Sequence, residues 1–251
     1  MTFLGKKVLV TGSTRGIGFA IAEHFVQAGA RVAINGRENA KVDAAIAQLE
    51  SPEQAVNAAG NLSNAEQCRV VVTKACEQLN GLDILINNAG VFDIASIPDT
   101  DEQTWDRAMN TNVKAAFFCT QAALPALKLA QGSVINHSSI AGLIGLANVA
   151  AYCASKGALV QLTRSMAMEL APDVRVNCVC PTTVNNDMGW VGFNRSEDPQ
   201  AAYQDFVNAS KMKRMPTNED VVAAFSFLAS PQASFMTGVA LPVDGGKSAG
   251  V

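Results

Sequence analysis

The chain has 251 residues, 49% hydrophobic and 16% charged, with a net charge of -3; that is enough for one large core, and no basic stretch points to nucleic acid. No apolar run reaches membrane-spanning length and the start lacks a signal peptide's apolar core, so a soluble, cytoplasmic protein with no membrane partner is expected. The six cysteines form no Cys-x-x-Cys pair and there are only two histidines, so no metal site is expected.

In chain order, residues 7–11 predict a strand and 16–28 a helix with Ile17, Ala20, Ile21 and Phe25 on one face. A second strand at 32–35 and a helix at 40–49 follow, then a weak third strand at 55–61. Strands at 82–86 and 133–136 each have a helix before them, with helical pattern over about 101–128. A helix over 151–171 leads to a strand at 174–179, and 239–243 predicts the last strand. Near-continuous apolar strands alternating with helices predict an α/β, doubly wound parallel sheet of about seven strands, with residues 1–251 as one domain. The long interruption at 182–215, rich in Trp190, Phe193, Tyr203 and Phe206, predicts a substrate-binding loop or lid; the same side chains would also suit a core.

Thr11-Gly12-Ser13-Thr14-Arg15-Gly16-Ile17-Gly18 lies between the first strand and the first helix. Glycines there let backbone N–H groups approach a pyrophosphate, and the helix N-terminus stabilises its charge. Further on, Tyr152 and Lys156 are four residues apart, which places a phenol and an ammonium one turn apart on one helix face. The positive charge is expected to pull the phenol's pKa down towards working pH, fitting it to move a proton to or from a carbonyl oxygen. An ordinary aromatic and lysine on a helix surface would share that spacing.

Together, Thr-Gly-x-x-x-Gly-Ile-Gly at 11–18, Asn-Asn-Ala-Gly at 87–90, Asn112, Ser139, Tyr152-x-x-x-Lys156 and Val243-Asp244-Gly245-Gly246 resemble the short-chain dehydrogenase/reductase family, in its order and over essentially the whole chain. The resemblance implies a Rossmann fold and hydride transfer between a nicotinamide cofactor and a small-molecule carbonyl or alcohol. It implies Tyr152 as acid and base, Lys156 lowering its pKa and binding the nicotinamide ribose, Ser139 polarising the substrate carbonyl, and Asn112 holding a water. Ser138 and His137 are expected to be structural. Cofactor contacts are implied at Gly12, Ser13, Thr14, Arg15, Gly16, Ile17, Gly18, Arg37, Asn61, Leu62, Asn88, Ala89, Gly90, Tyr152, Lys156, Pro181, Val184 and Asn186, with Asn87 beside them.

Members that prefer NAD carry an acidic residue at the end of the second strand; Gly36 stands there, followed by Arg37, with Arg15 in the phosphate loop. Two guanidiniums suit a 2′-phosphate, so NADP(H) is preferred and NAD(H) remains open; both arginines could also be merely solvated. The chain departs from the family at Asn61 (usually Asp), Thr182 (usually Gly) and Asn186 (usually Thr), and 181–189 is similar to the xylulose and carbonyl reductase branch. A carbonyl reductase or alcohol dehydrogenase is the leading expectation, with a 3-oxoacyl thioester (acyl carrier protein) reductase next and a non-catalytic cofactor-binding protein as a different class. An enoyl reductase is disfavoured, because those relatives space tyrosine and lysine more widely. The resemblance also implies a homotetramer or homodimer, paired through helices at about 101–128 and 151–171 whose alanines would allow close packing.

Overall fold

The computed structural model describes residues 2–250; Met1 and Val251, which the single-domain expectation also covers, lie outside the described residues. Seven strands form one parallel sheet in the order β3-β2-β1-β4-β5-β6-β7. They are β1 (Lys7–Val10), β2 (Arg31–Ile34), β3 (Ala55–Asn57), β4 (Ile84–Asn87), β5 (Ser133–His137), β6 (Arg175–Pro181) and β7 (Ala240–Val243). Nine α-helices accompany them among the described residues: α1 (Gly16–Gln27), α2 (Asn39–Ile46), α3 (Ala65–Leu79), α4 (Glu102–Met109), α5 (Ala115–Ala130), α6 (Ala150–Leu170), α7 (Asp187–Phe193), α8 (Pro199–Ala209) and α9 (Asn218–Ala229). This is the doubly wound sheet that the strand pattern predicts.

Side chains alternate across the strands and bury both faces. Val8, Val10, Ile34, Ile86 and Ile135 pack with Ile21 and Phe25 of α1 and with Phe225 of α9. Leu9, Ala33, Leu85 and Val134 pack on the other face with α3, α5 and α6. Such two-sided burial is why the strands carry apolar runs rather than alternating polar residues.

The strand order reverses between β1 and β4, and a crevice opens beyond their C-terminal ends at such a switch point. The turns after these strands touch: a Cβ on Gly12, whose φ is +62°, would lie 2.8 Å from Ala89 Cα. Only glycine fits that approach and that backbone. The third strand is shorter than predicted. The chain leaves the sheet after Asn57, whose side-chain oxygen accepts from Ala59 N at 2.8 Å and turns the backbone. The 182–215 segment also holds two helices, α7 and α8, rather than irregular loop alone. No described helix is long and apolar enough to cross a membrane.

Candidate active site

The phosphate loop joins β1 to α1. Its N-cap residue, Arg15, makes no side-chain hydrogen bond to the first turn, and Gly16 has φ +58° with no atom within 4 Å of where a Cβ would stand. An uncapped helix start with open space beside it suits an anion held by backbone N–H groups. Gly18 is closed by packing instead, since a Cβ there would reach Asn88 Nδ2 at 2.3 Å and Gly12 O at 2.4 Å. Ser13 Oγ donates to Val10 O at 2.7 Å and accepts from Asn35 N at 3.0 Å.

Asn35 was not singled out by sequence, yet it organises this corner. It is buried, with Oδ1 accepting from Gly12 N at 3.2 Å and Nδ2 donating to Ala58 O and Gly60 O at 2.9 and 3.2 Å. One amide thus ties the phosphate loop to the segment after β3. The available signal was a lone asparagine ending an apolar strand. Arg15 and Arg37 are exposed, and among the described residues neither makes an ion pair or a side-chain hydrogen bond. Gly36 stands under Thr14: a Cβ there would be 2.5 Å from Thr14 Cγ2. Asn61 is exposed and lies beyond the end of β3, whereas Leu62 is buried in the core.

After β4, Asn88 and Ala89 pin themselves to Thr11, whose Oγ1 accepts from both backbone N–H groups at 2.9 and 3.0 Å. Asn87 points away from the crevice: its Nδ2 donates to Asn136 Oδ1 at 2.9 Å and Thr120 Oγ1 at 3.0 Å, under α5. Asn87 is therefore part of the buried support and does not line the cofactor crevice as expected.

Asn112 lies in a π-helical turn (Asn110–Lys114) between α4 and α5, a distortion that aims its side chain inward. Its Oδ1 accepts from Val91 N at 2.8 Å, and its Nδ2 donates to Val91 O and Ser155 Oγ, each at 3.0 Å. Gly90 lies between Asn112 and Lys156, since its Cβ would stand 3.1 Å from Asn112 Oδ1 and 3.6 Å from Lys156 Nζ. Ser139 begins a short 3-10 turn and accepts from Ala141 N at 3.1 Å, while Ser138 is buried and donates to Lys156 O at 2.9 Å. Ser139 Oγ also donates to Pro181 O at 3.5 Å.

Lys156 Nζ stands 5.6 Å from the Tyr152 ring centroid and donates to His137 O at 2.6 Å. Phe92 meets the tyrosine ring edge-on, with centroids 4.8 Å apart. Burial pushes the Tyr152 phenol up to about 12, with Ser139 pulling the other way. Burial likewise pulls the Lys156 ammonium down to about 8. The expected lowering of the tyrosine by its lysine neighbour is thus overturned in the chain itself. Desolvation is the largest influence on both groups and drives each towards its neutral form.

At the end of β6 and just beyond it, Pro181 and Val184 are buried, and Thr182 Oγ1 is a buried hydroxyl without a hydrogen-bond partner among the described residues. Asn186 caps α7: its Oδ1 accepts from Gly189 N and its Nδ2 donates to Asn218 Oδ1, each at 3.0 Å. Its amide is thereby engaged within the chain, and Thr182 carries the free polar group on this side. Trp190 of α7 stacks on Tyr203 of α8 with centroids 5.3 Å apart, and Phe193 packs edge-on against Tyr203 and Phe206. The aromatic residues of 182–215 mostly pack on one another. An open helix start, glycines without side chains above it and an unpaired hydroxyl at the far end fit an extended dinucleotide.

A family model described as enoyl-(acyl carrier protein) reductase matches residues 12–248. The chain belongs to the short-chain dehydrogenase/reductase family. It is 37% identical to 2-(S)-hydroxypropyl-CoM dehydrogenase 3 of Xanthobacter autotrophicus, covering 96% of each chain. It is 36% identical to meso-2,3-butanediol dehydrogenase of Serratia marcescens, over 99% of this chain and 97% of that one. A solved short-chain dehydrogenase/reductase of Brucella melitensis, named for glucose/ribitol dehydrogenase, superposes with a TM-score of 0.88 at 31% identity, covering 98% of this chain and 99% of that one. The chain is accordingly an oxidoreductase of this family, whose members use nicotinamide cofactors.

Proposed function

We propose that the protein transfers a hydride between NADP(H) and a small ketone or secondary alcohol, with Tyr152 as acid and base. The observation that carries this is the convergence of Asn112, Ser139, Tyr152 and Lys156 beside the switch-point crevice that begins at an uncapped helix start. Gly12 to Gly18 would hold the pyrophosphate, Arg15 and Arg37 a 2′-phosphate, Asn61 and Leu62 the adenine, and Asn88 to Gly90 the adenosine ribose. Pro181, Val184 and Thr182 would face the carboxamide, with Asn186 fixing their segment. The bound nicotinamide would supply or take up the hydride.

The chain's own groups manage the proton. A phenol held near 12 keeps its proton at neutral pH, so Tyr152 is set to donate to a carbonyl oxygen that gains negative charge. Ser139 Oγ–H donates to that same oxygen. Lys156 supplies the positive charge that stabilises the phenolate left behind, and Asn112 fixes Val91 and Ser155 around it. In oxidation the same phenolate takes the alcohol proton.

The Xanthobacter and Serratia relatives are named for substrates that are secondary alcohols, which makes butane-2,3-dione and its diol the first probes. A 3-oxoacyl thioester on a carrier protein is the second reading; the matching family model is described for a carrier-bound acyl thioester too, though for the enoyl one. Of the three basic residues that could meet an acidic carrier, Arg214 is paired with Asp220 and Lys213 donates to Asn208 O at 2.6 Å, leaving Lys211. The likeness to xylulose and carbonyl reductases and the placing of the protein in the cytoplasm stand with the small-substrate reading, as does assembly into a homotetramer or homodimer. The helices of 182–215 would then cover the substrate.

Fluorescence titration with NADPH and NADH, followed by butane-2,3-dione reduction, tests the reading. Tight NADPH binding is expected, with Tyr152→Phe lowering turnover at least ~10³-fold while the NADPH Kd stays within about twofold. Persistent turnover in Tyr152→Phe would place the acid elsewhere. Cofactor binding without turnover of any carbonyl would leave the non-catalytic cofactor-binding class, and binding of neither cofactor would overturn both.

A further inference from the structure

Resting on that cofactor reading, we infer that His137 is a positioning residue that locks the catalytic lysine to the phosphate loop through Asn88. His137 ends β5, two residues before Ser139, and the family resemblance gives it no role. The β4–β5 backbone ladder stops one residue earlier, at Asn87↔Asn136. Beyond that rung the two strand ends are joined by side chains: His137 Nδ1 and Asn88 Oδ1 are 2.8 Å apart.

The direction of this bond is fixed by its neighbours. Asn88 Nδ2 donates to Thr11 O and Gly12 O, each at 2.9 Å, so both its protons are committed to the phosphate loop and its oxygen must accept. His137 Nδ1 therefore carries the proton. The ring packs edge-on against Phe225 of α9, with centroids 5.4 Å apart. Burial first, and the nearby Lys156 charge second, hold the imidazole down to about 3, so it is a neutral donor throughout the working range. The backbone of the same residue does the other half, because its carbonyl accepts from Lys156 Nζ at 2.6 Å.

A continuous chain of contacts results: Thr11 and Gly12 carbonyls, Asn88 amide, His137 ring, His137 carbonyl, Lys156 ammonium. An aliphatic residue at 137 could fill the space against Phe225 but would leave Asn88 Oδ1 unpaired. The amide would then be held from the loop side alone, and the loop carbonyls and the strand end holding Lys156 would lose their common anchor.

The test compares native protein, His137→Leu and His137→Asn, the last placing an amide N–H where Nδ1–H stands. NADPH and NADH affinities are read by fluorescence titration and folding by thermal melt. For the cofactor that the native chain binds, His137→Leu is expected to raise the Kd about tenfold and His137→Asn to restore it within about threefold, although the asparagine packs less well on Phe225. His137→Leu binding as tightly as native would overturn the inference, and so would His137→Asn binding as weakly as the leucine, because the donor would then be irrelevant. A native chain that binds neither cofactor would overturn the cofactor reading itself, which is a separate outcome. If the leucine variant fails to fold, Asn88→Asp serves in its place. It keeps the acceptor for His137 but loses both donors to the loop, and an unchanged Kd there would likewise sink the proposal.

Discussion

Tyr152 and Lys156 show how far side-chain spacing reaches and where it stops. Four residues on a helix place the phenol and the amine near one another, and the structure does so. What spacing cannot weigh is desolvation, which drives both groups towards their neutral forms. This has a consequence for stability with a definite sign. Lys156 is raised above neither reference; its folded pKa is depressed to about 8 from 10.5, so between these values the unfolded chain binds the extra proton and stability rises with pH. Below pH 8 the buried charge costs on the order of 3 kcal/mol, its bond to His137 O included. Urea unfolding of native protein and Lys156→Met from pH 7 to 10 should show the native chain gaining on the variant by about 2 kcal/mol as pH rises. A constant difference across that range would mean that the lysine is not strained in the fold. The asparagines were less legible than the tetrad. Asn35, Asn87 and Asn88 occur in similar sequence settings, yet one braces the phosphate loop, one props α5 and one joins the loop to His137. Only tertiary partners separate such roles, because an amide bonds equally well to many groups.

Elements were readable where a period or a cap repeated a simple physical need. The apolar runs gave the sheet, because strands buried on both faces have no polar face to show. The third strand was overextended because Ala58 and Gly60 continue its composition, but their carbonyls are bonded by Asn35 Nδ2 rather than by a neighbouring strand. In 182–215 the helices were hidden by mixed polar and aromatic composition, although Asp198-Pro199 is an N-cap followed by proline and does start α8. Cofactor choice also belongs to this scale, since it depends on how the turn after β1 lies over the end of β2. Gly36→Asp alone supplies a carboxylate for ribose hydroxyls, yet its Cβ would press on Thr14 Cγ2 at 2.5 Å. The single variant should lose NADPH affinity about tenfold by displacing the phosphate loop, and gain little NADH affinity. Adding Thr14→Ser removes the obstructing methyl, and the double variant should bind NADH better than the single one in the same titration. Equal NADH affinities would show that Thr14 does not govern access to this position.

At the scale of the whole molecule, the homotetramer or homodimer proposed above would pair through the face built by α4, the π-helical turn, α5 and α6. Several alanines that would allow close helix pairing are already used within the chain: Ala115, Ala123 and Ala167 are buried in the core on this side of the sheet. Their smallness brings α5 and α6 down onto the strands. What faces outward is larger. Met109, Val113, Phe117, Phe118 and Leu162 line a shallow depression, and Phe117 is 38% and Trp105 44% exposed. A two-fold axis through this face would bring each side chain near its own copy or its immediate neighbours, so one substitution acts twice. Phe117→Arg therefore removes apolar area from both sides and sets two like charges in one interface, while a monomer would tolerate the arginine on its exposed surface. Light scattering after size-exclusion chromatography should show the native protein as a dimer or tetramer, and the variant at half that mass or less, with an unchanged far-UV spectrum. A variant that keeps the native mass would move the interface off this face.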